Sequence, residues 1–252
     1  MSAPATTVQR VQLQTRREPT GRQALIWQLL AGSLDAPSRD HAAEVLDCGG
    51  GSGTFAVPIA QTGAVVTVVD ISIDALATLR RRADDAGVGD RVNAVQGDVE
   101  ALAESVGAAT FDLVLAHGIL GAVDDVPAVF AAIAARVRPG GRLSVLVENP
   151  VAGVLARAMA GDLAAALQEL HAVTAGTGPL GPDSVRALCD EQGLRVEAEH
   201  GIGVFGDLVP GRALDAPGAR EALEQLESAS AAHAPFRDIA ARVHLLARRP
   251  AG

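Results

Sequence analysis

The feature that most constrains this chain is a short apolar run that leads directly into a cluster of glycines. Val45 and Leu46 begin the run, and Asp47 ends it just before the cluster. Such a pattern is typical of a buried strand followed by a tight turn and a helix. Glycine allows positive φ and lets a ligand approach the backbone closely, while a helix N-terminus presents unpaired amides. The run therefore predicts an α/β fold with a nucleotide-type cofactor at the end of its first strand.

Two cofactor classes fit the glycine cluster. The run from Gly51 to Ala56 matches the GxGxxA spacing of dinucleotide sites, a weak signal in a chain with 27 glycines. The run from Asp47 to Gly53 matches the DxGxGxG spacing of S-adenosylmethionine (SAM) sites and also explains the aspartate. A carboxylate there suits a ligand with a cationic amino group and repels a pyrophosphate. We therefore predict SAM binding by Asp47, Gly49, Gly50, Gly51 and Gly53, with a nicotinamide-dependent oxidoreductase as the remote alternative.

The next two predicted strands also end at acidic residues. Asp70 follows the strand at 64–69, where a carboxylate can accept both hydroxyls of an adenosine ribose. Ile71, directly after it, is included in the predicted cofactor site. Asp98 and Val99 follow the strand at 92–96, where they can bind the adenine amino group and ring. For Asp98, an N-cap role at a helix over 99–106 is equally compatible with the sequence.

These runs, with the strand ending at His117 and the Arg138-Pro139-Gly140-Gly141 turn, resemble class I SAM-dependent methyltransferases over about residues 40–148. The resemblance implies a Rossmann-like fold with a mostly parallel seven-stranded sheet, an antiparallel last strand and a helical lid. The alternation of strands and helices also predicts a parallel sheet with ligand sites at its carboxyl ends. The predicted strands are 43–48, 64–69, 92–96, 111–116, 141–147, 194–200 and 241–247.

A closer similarity extends over nearly the whole chain, to the tRNA 5-carboxymethoxyuridine carboxyl-methyltransferase family. Its markers are the segments 21–27, 148–149, 201–205 and 223–227, together with His117. The resemblance implies that Arg22 and His117 touch the cofactor. The chain also departs from the family, because Gly203 replaces an arginine, Gly121-Ala122 replaces Glu-Trp, and the lid lacks a lysine-rich stretch.

The composition allows one sizeable core, since 48% of the 252 residues are hydrophobic. We predict a flexible segment at 1–20 and a single methyltransferase domain at 21–252, with 149–182 inserted as an acceptor lid. Within that lid a helix is expected over 151–170, and core packing is the main expected role of its apolar stripe. There is no apolar run near 20 residues and no signal-peptide pattern, so we expect no membrane association and a cytoplasmic protein.

The charge balance bears on the acceptor. The chain has 21 basic and 30 acidic residues and a net charge of −9. RNA binding draws on clustered cations and stacking aromatic residues, so a small-molecule acceptor is favoured and tRNA is the alternative partner. A non-catalytic SAM-binding protein is a third possibility, and the sequence does not predict an oligomeric state.

The sequence does not fix a catalytic residue. The acceptor atom is expected to be an oxygen, either of a carboxylate, which needs no base at pH 7, or of a hydroxyl, which does. His117 is the weak candidate for that base, although cofactor contact is favoured for it. Arg22, Arg157 and Arg212 are candidates for binding an acceptor anion. With only Cys48 and Cys189 present, we expect no disulfide framework, no metal site and no catalytic thiol.

Overall fold

The computed structural model describes residues 22–34, 41–206 and 208–251. The segment 1–20, predicted to be flexible, lies outside these residues. All the predicted strands are present, and their ends differ by at most four residues from those expected. They are β1 (Glu44–Cys48), β2 (Val65–Asp70), β3 (Val92–Gln96), β4 (Phe111–His117), β5 (Val137–Glu148), β6 (Arg195–Ile202) and β7 (Arg242–Arg248).

These strands form one seven-stranded sheet in the order β3-β2-β1-β4-β5-β7-β6. The strands β1 to β5 pair in parallel, and β7 runs antiparallel to both β5 and β6. The predicted mostly parallel sheet with an antiparallel last strand is confirmed. The chain leaves β1 toward β2 on one side and returns through β4 on the other. A crevice therefore opens at the carboxyl ends of β1 and β4, where open α/β sheets bind ligands.

The strand β5 begins four residues earlier than expected. Arg138-Pro139-Gly140-Gly141 was predicted to be a turn before the strand, and it instead continues the strand through an irregularity in its pairing with β4. The Arg138 guanidinium contacts the carboxylates of Asp112 and Glu44 at 3.0 and 2.5 Å. These contacts hold the bulged segment against the sheet.

Helices cover both faces of the sheet and enclose two apolar clusters. One cluster centres on Phe130, Leu143 and Leu245, and the other on Leu30, Ile59 and Leu115. No helix in the described part of the chain is long and apolar enough to cross a membrane. The helices are α1 (Arg22–Leu34), α2 (Ala56–Gln61), α3 (Ile73–Asp85), α4 (Leu102–Val106), α5 (Val126–Ala134), α6 (Pro150–Met159), α7 (Leu163–Thr174), α8 (Pro182–Glu191) and α9 (Ala219–Ser230).

The segment expected to be one helix over 151–170 is a pair of packed helices, α6 and α7. The break falls at Gly161, whose φ is +82°, and at Asp162, whose side chain caps α7 by accepting from the Ala165 amide. The expectation that core packing explains the apolar stripe is wrong for most of it. Leu163 is 67% exposed, and Leu155, Leu167 and Leu170 are also exposed.

The loop after β6 is held by one acidic side chain of α9. Glu227 accepts hydrogen bonds from the backbone amides of Val204, Phe205 and Gly206 at 2.7–2.9 Å. Hydrogen bonds to a charged acceptor are stronger than neutral ones, and amides left unpaired in a partly buried loop are costly. This carboxylate therefore fixes the loop that carries Gly203.

We predict that Glu227→Ala lowers the free energy of unfolding by about 2–4 kcal/mol, because it leaves three amides without their charged acceptor. Urea denaturation followed by circular dichroism measures the change. Glu221→Ala is the matched control, since Glu221 is an exposed residue of the same helix. Equal stability of the two variants would contradict a structural role for Glu227.

Candidate active site

The glycine turn approaches β1 and β2 more closely than any side chain would allow. Gly49 has φ of +71°, and its amide donates to the carbonyl of Val69 at 2.8 Å. A Cβ added at Gly50 would lie 2.4 Å from Oδ2 of Asp47 and 2.9 Å from Cγ1 of Val68. The turn therefore lies directly over Asp47.

Asp47 is the buried charged group of the site. It is 2% exposed, and its Oδ2 has no hydrogen-bond partner among the described residues. Burial, together with the nearby charge of Asp70, raises the pKa of Asp47 from 3.8 to about 7. An ionised carboxylate is costly there unless a cation pairs with it. The geometry thus suits a ligand that carries an ammonium group.

Asp70 ties the glycine turn to the end of β2. Its Oδ2 accepts from the amide of Gly51 and its Oδ1 accepts from the amide of Ser72, both at 2.8 Å. Each oxygen has a second lone pair, so the carboxylate can also accept from a diol. Arg82 supports the same turn by donating to the carbonyl of Ser52 at 2.8 Å.

Two cavities meet at Gly49. The larger, which we call the His117 cavity, has a volume of about 460 Å³, and the smaller, the Asp98 cavity, has about 290 Å³. The His117 cavity is lined by Asp47, Gly49, Gly50, Thr54, Phe55, His117, Gly118, Leu146, Glu148 and Arg242. The Asp98 cavity is lined by Gly49, Val69, Asp70, Ile71, Gly97, Asp98, Val99, Glu100, Ile119, Ala122, Val123 and Asp124.

The Asp98 cavity combines apolar walls with acceptor groups. Ile71 is 70% exposed, and it lines this cavity together with Val99 and Ile119. The side chain of Asp98 accepts from the amide of Glu100 at 2.9 Å and so has the capping role that the sequence left open. Apolar surfaces beside carboxylates suit a flat base attached to a ribose. The sequence analysis missed Ile119, which lies in a loop after β4 without a distinctive motif.

His117 ends β4 on the floor of the His117 cavity. Its Nε2 lies 2.8 Å from Oγ of Ser144, and its Nδ1 is buried without a partner in the described chain. The Phe55 ring packs edge-on against it at 4.8 Å between centroids. Burial lowers the pKa of His117 to about 4, so the ring is neutral at pH 7.

Among the described candidates for the site, Gly53, Arg157 and Arg212 line neither cavity. A Cβ at Gly53 would lie 2.3 Å from Cδ1 of Leu79, which shows that this glycine faces the core. The Arg22 side chain lies outside the described part of the structure. Arg157 pairs with Glu169 between α6 and α7, and Arg212 is an exposed residue of the short turn Gly211–Asp215.

Arg242 is the arginine that lines the His117 cavity within the described residues, and the sequence analysis missed it. Its Nε donates to Oε1 of Glu148 at 2.7 Å. No local motif marks it, because the position follows from the pairing of Arg242 with Glu148 across β5 and β7.

The thiol of Cys48 lies beside the site and is buried. Burial, with the nearby charge of Asp47, raises the pKa of Cys48 and keeps the thiol protonated. A protonated, buried thiol is a poor nucleophile. This environment argues against a catalytic role for Cys48.

Comparison with known proteins shows similarity to methyltransferases. Residues 45–141, which include the glycine turn and Asp98, match the family model described as "Methyltransferase domain". The tRNA 5-carboxymethoxyuridine methyltransferase of Escherichia coli O157:H7 is 27% identical over 91% of this chain and 88% of its own. The ubiquinone biosynthesis O-methyltransferase of Methylocella silvestris is 36% identical, over 45% of this chain and 43% of its own.

The chain is a SAM-dependent methyltransferase. Its fold matches that of magnesium protoporphyrin IX methyltransferase from Synechocystis PCC 6803, solved with bound S-adenosylhomocysteine (SAH). The TM-score is 0.57 at 14% identity, over 89% of this chain and 80% of the other. The remote alternative, a nicotinamide-dependent oxidoreductase, is therefore rejected.

The residues of the methyltransferase fit SAM at both cavities. The Oδ2 of Asp47, which has no partner in the described part of the chain, suits the ammonium of the methionine part, and Asp70 and the Asp98 cavity suit the adenosine part. SAM supplies a methyl group bound to a positively charged sulfur. Because Gly49 lines both cavities, the two parts of the cofactor would meet at the glycine turn.

We predict that Asp47→Asn makes the ligand-free methyltransferase more stable at pH 8 but not near pH 4. The raised pKa of about 7 means that the folded state binds more protons than the unfolded state between pH 4 and 7, so Asp47 lowers stability as the pH rises through this range. The expected gain at pH 8 is about 2–4 kcal/mol. Thermal unfolding across this pH range measures it.

The same variant should lose most of the thermal stabilisation that SAH gives to the wild type, because the ligand's ammonium loses its carboxylate partner. Asp85→Asn, an exposed change on α3, is the control. A stability difference that does not vary with pH would contradict the raised pKa of Asp47. An unchanged response to SAH would show that Asp47 does not bind the cofactor.

Proposed function

We propose that the methyltransferase transfers a methyl group to an oxygen atom and that this oxygen belongs to the carboxylate of a small molecule. Arg242 carries the proposal, because it places a guanidinium in the His117 cavity beside the cofactor turn. Guanidinium groups bind carboxylates in a planar, two-point geometry.

The ion pair with Glu148 orients Arg242 without occupying all of its donors. It uses Nε, and within the described residues the two terminal nitrogens make no hydrogen bond. The side chain of Glu148 is 72% exposed, whereas that of Arg242 is 39% exposed. An anionic acceptor that entered the cavity would therefore find free N–H donors held in a fixed direction.

The other polar groups of the cavity favour a carboxylate over a hydroxyl. A hydroxyl acceptor requires a base, and His117, with a pKa of about 4, is a weak base at pH 7. A carboxylate is already ionised and needs only to be positioned near the methyl carbon. Arg242 can supply that positioning.

A second candidate acceptor is the carboxylate of carboxymethoxyuridine in tRNA. The length of the match to the Escherichia coli tRNA methyltransferase favours it, since that match covers 91% of this chain. The net charge of −9 and the scarcity of aromatic residues favour the small molecule, because RNA binding depends on phosphate contacts and base stacking. The chemistry at Arg242 would be the same for either acceptor.

The helices α6 and α7 are proposed as the lid over the acceptor. They follow Glu148 directly, and their exposed apolar side chains include Leu155, Leu163 and Leu167. A separate cavity of about 290 Å³ lies between α6, α8 and β6.

We also propose a cytoplasmic location. The tRNA in the name of the Escherichia coli relative is a cytoplasmic molecule.

The acceptor is tested by incubating the enzyme and methyl-labelled SAM with a small-molecule cell extract and, separately, with tRNA that contains carboxymethoxyuridine. The proposal predicts a labelled product in the extract. Mild alkali should release the label from this product, because it hydrolyses methyl esters. Label in tRNA alone would select the second candidate. An alkali-stable methyl ether would contradict carboxylate methylation.

We predict that Arg242→Gln lowers kcat/KM for the acceptor about 10- to 100-fold, by removing a charge-assisted contact of about 1.5–3 kcal/mol, while the affinity for SAH changes little. Steady-state kinetics and isothermal titration calorimetry measure the two effects. Arg248→Gln is the matched control, because Arg248 lies on the same strand and contacts Glu197 away from the cavity. Equal losses in both variants would remove Arg242 from the acceptor site.

A further inference from the structure

A line of polar side chains crosses the sheet from the floor of the His117 cavity. His117 on β4, Ser144 on β5 and His244 on β7 are joined through the Ser144 hydroxyl by two contacts of 2.8 Å. Leu146 pairs with both His117 and His244, and Ser144 precedes it by two residues, so all these side chains share one face of the sheet. Ser144 and His244 are fully buried.

The hydroxyl of Ser144 couples the two histidine rings. Both rings are neutral at pH 7, because burial lowers the pKa of His117 to about 4 and holds the pKa of His244 well below 6.5. A neutral imidazole carries one N–H and one bare nitrogen, and a serine hydroxyl has a single hydrogen to donate. If one Nε2 donates to Ser144 and the other accepts from it, the two rings hold opposite tautomers.

The surroundings of His244 favour one direction for this chain. Its Nδ1 is buried without a partner in the described structure, and the nearest ring is that of His200, 5.9 Å away between centroids. An unpaired N–H in such a place is less well tolerated than an unpaired lone pair. The N–H of His244 therefore belongs on Nε2, where it donates to Ser144.

The positions of the hydrogens on Ser144 and His117 follow from that of the His244 N–H. Ser144 then donates to Nε2 of His117, so His117 carries its hydrogen on Nδ1. If both rings instead donated to Ser144, its hydroxyl hydrogen would be buried and unpaired, which is also costly. In the favoured arrangement the N–H that has no partner among the described residues belongs to His117, which lines the cavity.

This N–H complements Asp47 on the neighbouring strand. Asp47 pairs with Leu115, two residues before His117, so both side chains lie on the same face and line the same cavity. Among the described residues, the Asp47 carboxylate oxygen and the His117 ring nitrogen have no hydrogen-bond partner. An acceptor beside a donor is the arrangement that matches an ammonium beside a carboxylate.

We propose that Ser144 and His244 are positioning residues that hold His117 in the tautomer with hydrogen on Nδ1, from which it donates to a ligand carboxylate in the His117 cavity. The carboxylate can be that of the methionine part of SAM or that of the acceptor. Only the second source rests on the proposed function.

The direct test is long-range ¹H–¹⁵N correlation NMR of the full chain labelled at histidine, with and without SAH. The expected spectra show hydrogen on Nδ1 of His117 and on Nε2 of His244. Hydrogen on Nε2 of His117, or the same tautomer for both rings, overturns the proposal. This measurement does not depend on turnover, so it stands even if the acceptor is not a carboxylate.

Variants of Ser144 and His244 test whether their contacts with His117 affect ligand binding. Ser144→Ala should release His117 from a single tautomer and weaken carboxylate binding about threefold to tenfold, as expected for the loss of one hydrogen bond. His244→Gln keeps an N–H that can donate to Ser144 and should remain within about twofold of the wild type. His244→Leu has no such donor and should behave like Ser144→Ala.

The SAH affinity and the acceptor KM of Ser144→Ala show which ligand carries the carboxylate that His117 binds. A weaker SAH affinity assigns the carboxylate to the cofactor. A raised KM for the acceptor with an unchanged SAH affinity assigns it to the acceptor. If neither changes, or if His244→Gln loses as much as His244→Leu, the proposal fails. Ser230→Ala is the control, since Ser230 is also buried but bonds to the carbonyl of Glu227.

Discussion

The buried carboxylate of Asp47 lies beneath the glycine turn, and the arrangement of the site depends on it. Burial of an ionisable group without a partner costs stability, and here it raises the pKa of that carboxyl to about 7. The backbone at Gly50 passes so close that a side chain there would collide with Asp47. The cost becomes useful when a ligand supplies a cation at the same place. This is the pattern expected of a binding site rather than of a stabilising core.

The parallel sheet explains why that carboxylate is next to the rest of the cofactor site. Parallel strands bring Asp47, Asp70, Asp98 and His117 to one edge, because each lies at or just beyond the carboxyl end of a strand, and these strands run in the same direction. This part was predictable, since each residue is marked by a local pattern of an apolar strand followed by a polar or glycine-rich turn. The order of those patterns also predicted the parallel sheet, and the resemblance to class I methyltransferases implied its antiparallel last strand.

The parts that sequence analysis missed depend on pairing between distant segments. Arg242 enters the cavity because β7 pairs with β5, and Ser144 meets His244 across the same pair, one hundred residues apart in the chain. Nothing near these residues in the sequence indicates the register that joins them. The structural role of Glu227 was not predicted either, because acidic residues that recur along a helix usually form its solvent-exposed face. In the structure its carboxylate holds three backbone amides.

A crystal structure of the methyltransferase with SAH tests the central claim most directly. The account predicts the amino-acid part in the His117 cavity with its ammonium on Oδ2 of Asp47, and the adenosine part in the Asp98 cavity with its ribose on Asp70. The chain of the ligand should cross the glycine turn at Gly49, which lines both cavities. An amino-acid part directed away from Asp47, or SAH bound in the cavity between α6 and α8, would contradict the account.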